Sequence, residues 1–213
     1  MNIFQFTLFL FTIILCNGKK TNKIIRGVIK PIEDYPHIVS IKNNNHHVCS
    51  GNLVSSLHVL TAASCVVFDA GHVIVSNVII IAGTNDKLNT LNNGQIRNVK
   101  YVVYHEKYNH QQLWNNDVAI LKLEKPVYFN NYVNKITLST YFETQHNSLV
   151  THFDTVGWGD NPTAINYLQH IQLKKIDKIS CVKLFAINLI NLHQSCAKVM
   201  WPSQAVTMVI III

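Results

Sequence analysis

The segment that decides the fold reads CSGNLVSSLHVLTAASC, residues 49–65. Its central run, Leu53–Ala62, is rich in Val, Leu and Thr, a composition that predicts a β-strand. Cysteines stand at both ends, 16 positions apart. A disulfide that closes a loop of this length would stabilise the fold by roughly 3 kcal/mol in the chain-entropy account.

Five cysteines are present, and the first of them, Cys16, lies in a predicted signal sequence. Removal of that signal leaves four cysteines, which allow three connectivities. Two local loops are the simplest of these, and the second would join Cys181 to Cys196. The alternative, a zinc site, is disfavoured because the sequence contains no Cys-x-x-Cys pair.

Short β-type runs separated by Asn, Gly and Pro clusters continue through the chain and predict an all-β sandwich or barrel. Besides Leu53–Ala62, we predict strands at His37–Lys42, Val73–Ala82, Gln95–Tyr104, Asp117–Glu124, Asp154–Trp158 and Leu168–Ile176. One segment, Asp177–Asn191, carries apolar residues at helical spacing, and Asp177 stands at the N-cap position. We therefore predict a single short helix there.

The two ends of the chain are apolar. Residues 1–18 have a hydrophobic run that is too short to span a bilayer, followed by small residues at the positions of a cleavage site. They predict a secretory signal and an extracellular protein, with an N-terminal core helix as the alternative. Residues 206–213 are apolar over eight positions, far fewer than the roughly 20 that a membrane anchor needs.

The formal net charge of +7 is scattered along the chain, and its densest run outside the N-terminus is Lys174, Lys175 and Lys178. This is too little for a nucleic-acid footprint, so we predict a solvated face and no nucleic-acid partner. Apart from His58 and His72, the histidines, including His46 and His47, are interpreted as surface residues because no third ligand stands at a useful spacing. We predict neither a metal nor a cofactor.

Several blocks occur in an order that resembles the trypsin-like (chymotrypsin-fold) serine proteases. The resemblance rests on KIIRG (23–27), YPHIVSI (35–41), CSGNLV (49–54), VLTAASC (59–65), NDVAILKL (116–123) and VGWG (156–159), with Cys181 and Cys196 placed as the second local disulfide of the family. It implies two six-stranded barrels, of which the first is complete by Leu123 and the second is truncated. The predicted domain covers residues 24–199, after a short propeptide at 19–23 and before a divergent apolar tail at 200–213.

The departures from the family decide the predicted function. The family mechanism needs a serine nucleophile, a histidine base and an orienting aspartate. The resemblance places the aspartate at Asp117 and the histidine position at Ser64. We expect Asp117 to be a structural residue, bonded to backbone N–H groups or to the Ser64 hydroxyl. Neither His58 nor His72 is placed to reach Asp117.

The Gly-Asp-Ser-Gly-Gly-Pro block, which supplies the nucleophile and oxyanion hole in the family, does not occur in the sequence. The Lys23–Ile24 bond resembles an activation cleavage site, although the carboxylate that would accept the new amino terminus belongs to the same block. Arg26 stands where the family has a glycine, and it would be strained if that position needs positive φ.

The sequence thus predicts a secreted, non-catalytic homologue of the serine proteases. It would act as a binding or decoy module for proteases, their inhibitors or foreign surfaces. The alternative is a truncated or misspliced product of a working serine-type endopeptidase, and an active enzyme with unusual residues is a third reading. Unpaired strand edges predict self-association. The tail Val206–Ile213 would either cover such an edge as a substitute strand or promote aggregation.

Overall fold

The computed structural model describes residues 27–68, 72–73, 76–88, 94–109, 111, 114–138, 151–158, 166–185, 194–199 and 209–212. These residues form a closed antiparallel barrel, a second antiparallel sheet and a small two-stranded sheet. The strands are β1 (Val28–Ile29), β2 (Ile38–Asn43), β3 (His46–Leu53), β4 (His58–Thr61), β5 (Val67–Phe68), β6 (His72–Val73), β7 (Val78–Ala82), β8 (Gln95–Tyr104), β9 (Ala119–Leu123), β10 (His152–Gly157), β11 (Gln169–Ile176), β12 (Gln194–Val199) and β13 (Val209–Ile212). Within these residues, an α-helix, α1, spans Lys178–Phe185, and short 3-10 helices occupy Ile32–Asp34 and Ala63–Cys65.

The first barrel closes in the strand order β2-β3-β4-β9-β8-β7, so none of its six strands is an open edge. Its β2–β3 hairpin turns at Asn44 and Asn45, whose φ angles of 47° and 64° lie in the left-handed region. A two-residue hairpin turn whose twist matches that of the flanking strands requires positive φ at both residues, and asparagine tolerates this conformation.

Alternate side chains of the barrel strands point inward and fill the interior. Along β9, Ala119, Leu121 and Leu123 are buried, whereas the intervening Ile120 and Lys122 face outward. Gly51 of β3 is required by close packing, since a Cβ atom there would lie 2.6 Å from Cγ1 of Val59.

The second sheet has the order β1-β11-β12-β13, and β10 pairs with the other side of β11. Trp158, Leu168, Ile32 and Ile38 form the buried cluster that joins this sheet to the barrel. The indole Nε1 of Trp158 donates to the carbonyl of Asn85 at 2.8 Å, which fixes the ring at the junction.

The all-β class, the closed first barrel and a short helix at the predicted place are confirmed by the residues that the structure describes. The helix cap is also as predicted, because Oδ1 of Asp177 accepts the backbone N–H of Ser180 at 2.8 Å. The predicted end of the helix at Asn191 lies outside the described residues.

Two predicted strands are wrong in their bounds. The run Leu53–Ala62 is not one strand, because β3 ends at Leu53 and β4 begins at His58. Between them the N–H of Val54 donates to the carbonyl of His58 at 3.0 Å, which closes a hairpin. The run Val73–Ala82 is likewise interrupted, with Asn77 at a φ of 59° in a turn before β7.

The apolar tail contributes strand β13, which pairs antiparallel with β12 from Ala197↔Val209 to Gln194↔Ile212. Of the two expectations for this segment, the substitute strand is the one seen here. Within the described residues, no helix is long and apolar enough to cross a membrane. The predicted signal at 1–18, the propeptide at 19–23 and the residues Lys23, Ile24 and Arg26 lie outside the described part of the chain.

Candidate functional site: the Ser64–Asp117 contact

Ser64 lies in the 3-10 helix that follows β4, and it is 9% exposed. The helix is held by backbone bonds from Cys65 N–H to the carbonyl of Ala62 at 3.1 Å and from Val66 N–H to the carbonyl of Ala63 at 2.9 Å. Cys65 is joined by a disulfide to Cys49 of β3, with the Cα atoms 5.9 Å apart. The position of Ser64 is therefore fixed by a covalent link to the barrel wall.

Asp117 lies just before β9, at the end of a loop whose backbone is unusual. Trp114 and Asn116 have φ angles of 50° and 55°, in the left-handed region. The side-chain amide of Asn116 donates to the carbonyl of Lys107 at 2.9 Å, and the N–H of Val118 donates to the carbonyl of Asn116 at 2.8 Å. These bonds hold Asp117 in place where the chain enters the barrel.

The two positions meet although they are 53 residues apart in sequence. The backbone N–H of Ser64 donates to Oδ1 of Asp117 at 2.5 Å. A hydrogen bond to a carboxylate contributes about 1.5–3 kcal/mol, more than a bond between neutral groups. The structure thus brings together the position to which the resemblance assigns the histidine and the position to which it assigns the aspartate, and the contact uses the main chain of Ser64.

His58 is engaged elsewhere. Its Nε2 lies 3.2 Å from Nζ of Lys122, and its Nδ1 lies 2.8 Å from Oγ of Ser55. An ammonium group can donate but not accept, so Nε2 accepts and Nδ1 carries the proton that is donated to Ser55. In register, His58 is opposite Lys122, whereas Thr61 is opposite Ala119, close to Asp117. His58 therefore lies three residues along the strand, about 10 Å, from the end of β9 that is next to Asp117.

His47 is a residue whose role was missed at the sequence level. We interpreted His46 and His47 as surface residues, and this is wrong for His47, which packs at the junction of the barrel and the second sheet. It is hydrogen bonded to Oγ of Ser40 at 2.8 Å and meets the ring of Trp158 edge to face, with centroids 5.8 Å apart. Burial lowers the pKa of His47 to about 4, with smaller contributions from Lys87 and Lys42.

A signal for His47 exists in the sequence, although β3 had to be recognised first. Burial alternates along this strand, so that His47, Cys49, Gly51 and Leu53 are each more buried than the residue before them. A strand beginning at His46 would have predicted a partly buried His47.

The remaining predicted site residues are the second pair of cysteines. Cys181 of α1 is bonded to Cys196 of β12, with the Cα atoms 6.2 Å apart. The structure thus contains the two local loops that were the simplest of the three connectivities. In the described part of the chain, no group of three or more His, Cys, Asp or Glu side chains is arranged to hold a metal ion.

The structure has a closed antiparallel barrel beside a second sheet. The 3-10 helix that the Cys49–Cys65 disulfide holds lies against an aspartate at the entry to β9. Together these features define the class of trypsin-like serine protease folds. The comparison with known families agrees: the family model described as Trypsin matches residues 24–207. The chain belongs to the trypsin family.

Known relatives of the chain come from insects and vertebrates. It is 33% identical to trypsin zeta of Drosophila erecta over 58% of its own length and 45% of that protein. It is 33% identical to serine protease SP24D of Anopheles gambiae over 64% and 46% of the two chains. It is 25% identical to coagulation factor IX of Oryctolagus cuniculus over 82% and 62%. The chain thus spans less than two thirds of the length of these relatives.

Proposed function

We propose that the chain is a secreted trypsin-family protein that does not hydrolyse peptide bonds and instead binds other proteins. The observation that carries the proposal is the contact between Ser64 and Asp117. In the family mechanism the aspartate orients an imidazole, which takes a proton from the nucleophile and returns it to the leaving group. Any residue at position 64 could donate the backbone N–H that Asp117 accepts, so this bond alone does not exclude catalysis. What is missing is the imidazole, because the side chain that the structure sets beside Asp117 carries a hydroxyl.

A hydroxyl cannot replace the imidazole as a base. A general base must gain and lose a proton near the working pH, which the histidine ring does and an alcohol does not. His58 does not supply the missing group, because its protonated Nδ1 faces Ser55 and its Nε2 is occupied by Lys122. Asp117 is therefore assigned a structural role at the entry to β9.

Catalysis is tested with short peptide substrates that end in arginine or lysine, incubated with the full chain before and after cleavage at Lys23–Ile24. The matched variant is Asp117→Ala, which removes the carboxylate of the contact. We expect no turnover above that of the variant. Turnover that is lost in Asp117→Ala would show a working active site and overturn the proposal.

We propose that partner binding uses the surface around the Asp117 loop. Trp114, three residues before Asp117, is 38% exposed, and exposed tryptophan is enriched among the residues that dominate protein interfaces. The partners would be proteases, protein inhibitors of proteases or foreign surfaces.

Binding is measured by surface plasmon resonance with purified protein inhibitors of trypsin-like enzymes. Trp114→Ala should weaken the binding at least about tenfold, while the control Tyr128→Ala, at an aromatic residue that is 72% exposed, should not. Equal effects of the two substitutions, or no binding by the folded wild-type chain, would contradict this part of the proposal.

Secretion and self-association complete the proposal. Expression in eukaryotic cells with sequencing of the protein in the medium should give a mature chain that begins after residue 18 or at Ile24.

The edges of the second sheet support self-association, because β10 and β13 each pair with a single strand among those described. Sedimentation should show oligomers that grow with concentration, and a monomer at every concentration would contradict this.

A further inference from the structure

A cavity of about 450 Å³ lies on the first barrel, where the β2–β3 turn, the start of β7, β8 and the end of β9 meet. Four asparagines and one glutamate line it: Asn44, Asn45, Asn77, Asn98 and Glu124. Its volume falls within the range of about 300–1,000 Å³ that is typical of small-molecule sites. It is separate from the Ser64–Asp117 contact, since none of its lining residues belongs to that site.

The backbone around the cavity fixes three of these side chains. Asn44, Asn45 and Asn77 all have positive φ, at 47°, 64° and 59°. Asparagine adopts this conformation more readily than other non-glycine residues, which sets the direction in which each carboxamide leaves the main chain. The N–H of Asn44 also donates to the carbonyl of Asn77 at 3.3 Å, so the two turns are joined.

Two hydrogen bonds order the polar side chains. The amide of Asn77 donates to Oδ1 of Asn44 at 3.0 Å, and the amide of Asn98 donates to Oε2 of Glu124 at 3.0 Å. A carboxamide can form four hydrogen bonds and a carboxylate about as many, so each group can form further bonds. The lining therefore offers both donors and acceptors in positions that are largely fixed before a ligand arrives.

The chemistry of the lining selects a class of ligand. Among the described residues, no lysine or arginine lines the cavity, which disfavours phosphate and other anions. Glu124 is the one carboxylate among the lining residues that the structure describes, whereas calcium sites gather six to eight oxygen ligands and gain affinity with added charge. Val78 and Val99 are 3% and 6% exposed and belong to the barrel core, so the aliphatic surface of the lining comes from the partly exposed Ile79.

We propose that this cavity binds a neutral saccharide. Sugar hydroxyls both donate and accept hydrogen bonds, and they match a lining of carboxamides with one carboxylate acceptor. The aliphatic C–H face of the sugar would lie on Ile79. The site would give the chain a second binding activity, toward glycans, that does not depend on whether the Ser64–Asp117 site is catalytic.

The test uses the full chain labelled with ¹⁵N, in buffer with EDTA, titrated with the methyl glycosides of glucose and N-acetylglucosamine and with cellotriose and chitotriose. We expect saturable shifts of the backbone amides of Asn44, Asn45 and Asn77 with at least one of these sugars. Asn98→Ala should raise the dissociation constant at least about tenfold. Asn134→Ala is the matched control, because Asn134 is an exposed asparagine outside the cavity, and it should leave the constant unchanged.

A conservative variant separates a binding role from a structural one. Glu124→Gln keeps the size of the side chain and an acceptor for Asn98, so it should weaken sugar binding while leaving the unfolding midpoint unchanged. Saccharide shifts that are equal in Asn98→Ala and wild type would overturn the proposal. So would the absence of shifts with all four sugars. In a separate titration without EDTA, calcium-induced shifts at these amides in a protein that does not bind the sugars would also overturn it.

Discussion

The first barrel and the second sheet differ in how completely their strands are paired. All six barrel strands have neighbours on both sides, while β10 and β13 of the second sheet have one neighbour each among the described strands. The buried cluster of the barrel joins eighteen described residues, whereas Ile171, Leu173 and Ala197 form the cluster inside the sheet. Ser64 and Asp117 both belong to the barrel side, so their contact depends on the better-formed half.

The largest expected effect comes from matched truncations in the two cores. Leu121 of β9 is 0% exposed and Leu173 of β11 is 1% exposed. Leucine-to-alanine changes in cores cost about 2–5 kcal/mol, and the cost is higher where the surroundings cannot collapse into the cavity. We expect Leu121→Ala to lower the free energy of unfolding by about 4 kcal/mol and Leu173→Ala by about 2 kcal/mol.

Urea unfolding of the two variants beside the wild type measures this difference. Equal losses, or a greater loss for Leu173→Ala, would show that the second sheet is packed at least as tightly as the barrel.

The next effect concerns the junction of the two regions, at His47. Its pKa is about 4 in the folded protein, against the ordinary 6.5. Above pH 6.5 the ring is neutral in both the folded and unfolded states, so His47 adds no pH dependence there. Between pH 6.5 and pH 4 the unfolded chain binds a proton that the folded protein does not, so stability falls as the pH falls, by about 3 kcal/mol at most.

Unfolding midpoints at several pH values check this sign. His47→Gln should flatten the pH dependence between pH 6.5 and pH 4. His46→Gln, at the exposed neighbouring residue, should leave it unchanged. A wild-type protein that becomes more stable toward pH 4, or a slope that survives His47→Gln, would contradict the burial of a neutral ring at the junction.

The smallest effect is that of the Ser64–Asp117 contact itself. Asp117→Asn removes the charge of the acceptor and should cost about 1–3 kcal/mol. Asp86→Asn is the control, since Oδ1 of Asp86 accepts the N–H of Leu88 at 2.9 Å in an exposed position, and it should cost less than about 1 kcal/mol. Equal unfolding midpoints for the two variants would mean that the Asp117 carboxylate does not stabilise the barrel.

Features that depend on nearby residues could be predicted from the sequence. The β-type composition, the local loops between cysteines and the Asp177 cap are each determined within about 16 positions of the chain. The join between β3 and β4 was missed because Val54–Leu57 lacks the Gly, Pro and Asn signals of a turn. The local signal that it does carry is Ser55, whose Oγ accepts the backbone N–H of Leu57 at 3.2 Å.

The candidate sites were predictable to different degrees. The meeting of Ser64 with Asp117 followed from the family resemblance, because no local pattern links residues that are 53 positions apart. The asparagine-lined cavity could not be predicted, since its side chains come from four separate segments that tertiary structure alone brings together. The burial of His47 could not be predicted either, because the composition did not reveal that β3 begins at His46.

We propose that the trypsin-family barrel holds Asp117 against the backbone N–H of Ser64 and that the chain carries no activated serine. A fluorophosphonate probe, which forms an adduct with the activated serine of such enzymes, tests it most directly. The full chain is treated before and after cleavage at Lys23–Ile24, beside active trypsin, and its intact mass is measured. We predict an unchanged mass in both forms of the chain, and a stoichiometric adduct on any serine would contradict the claim.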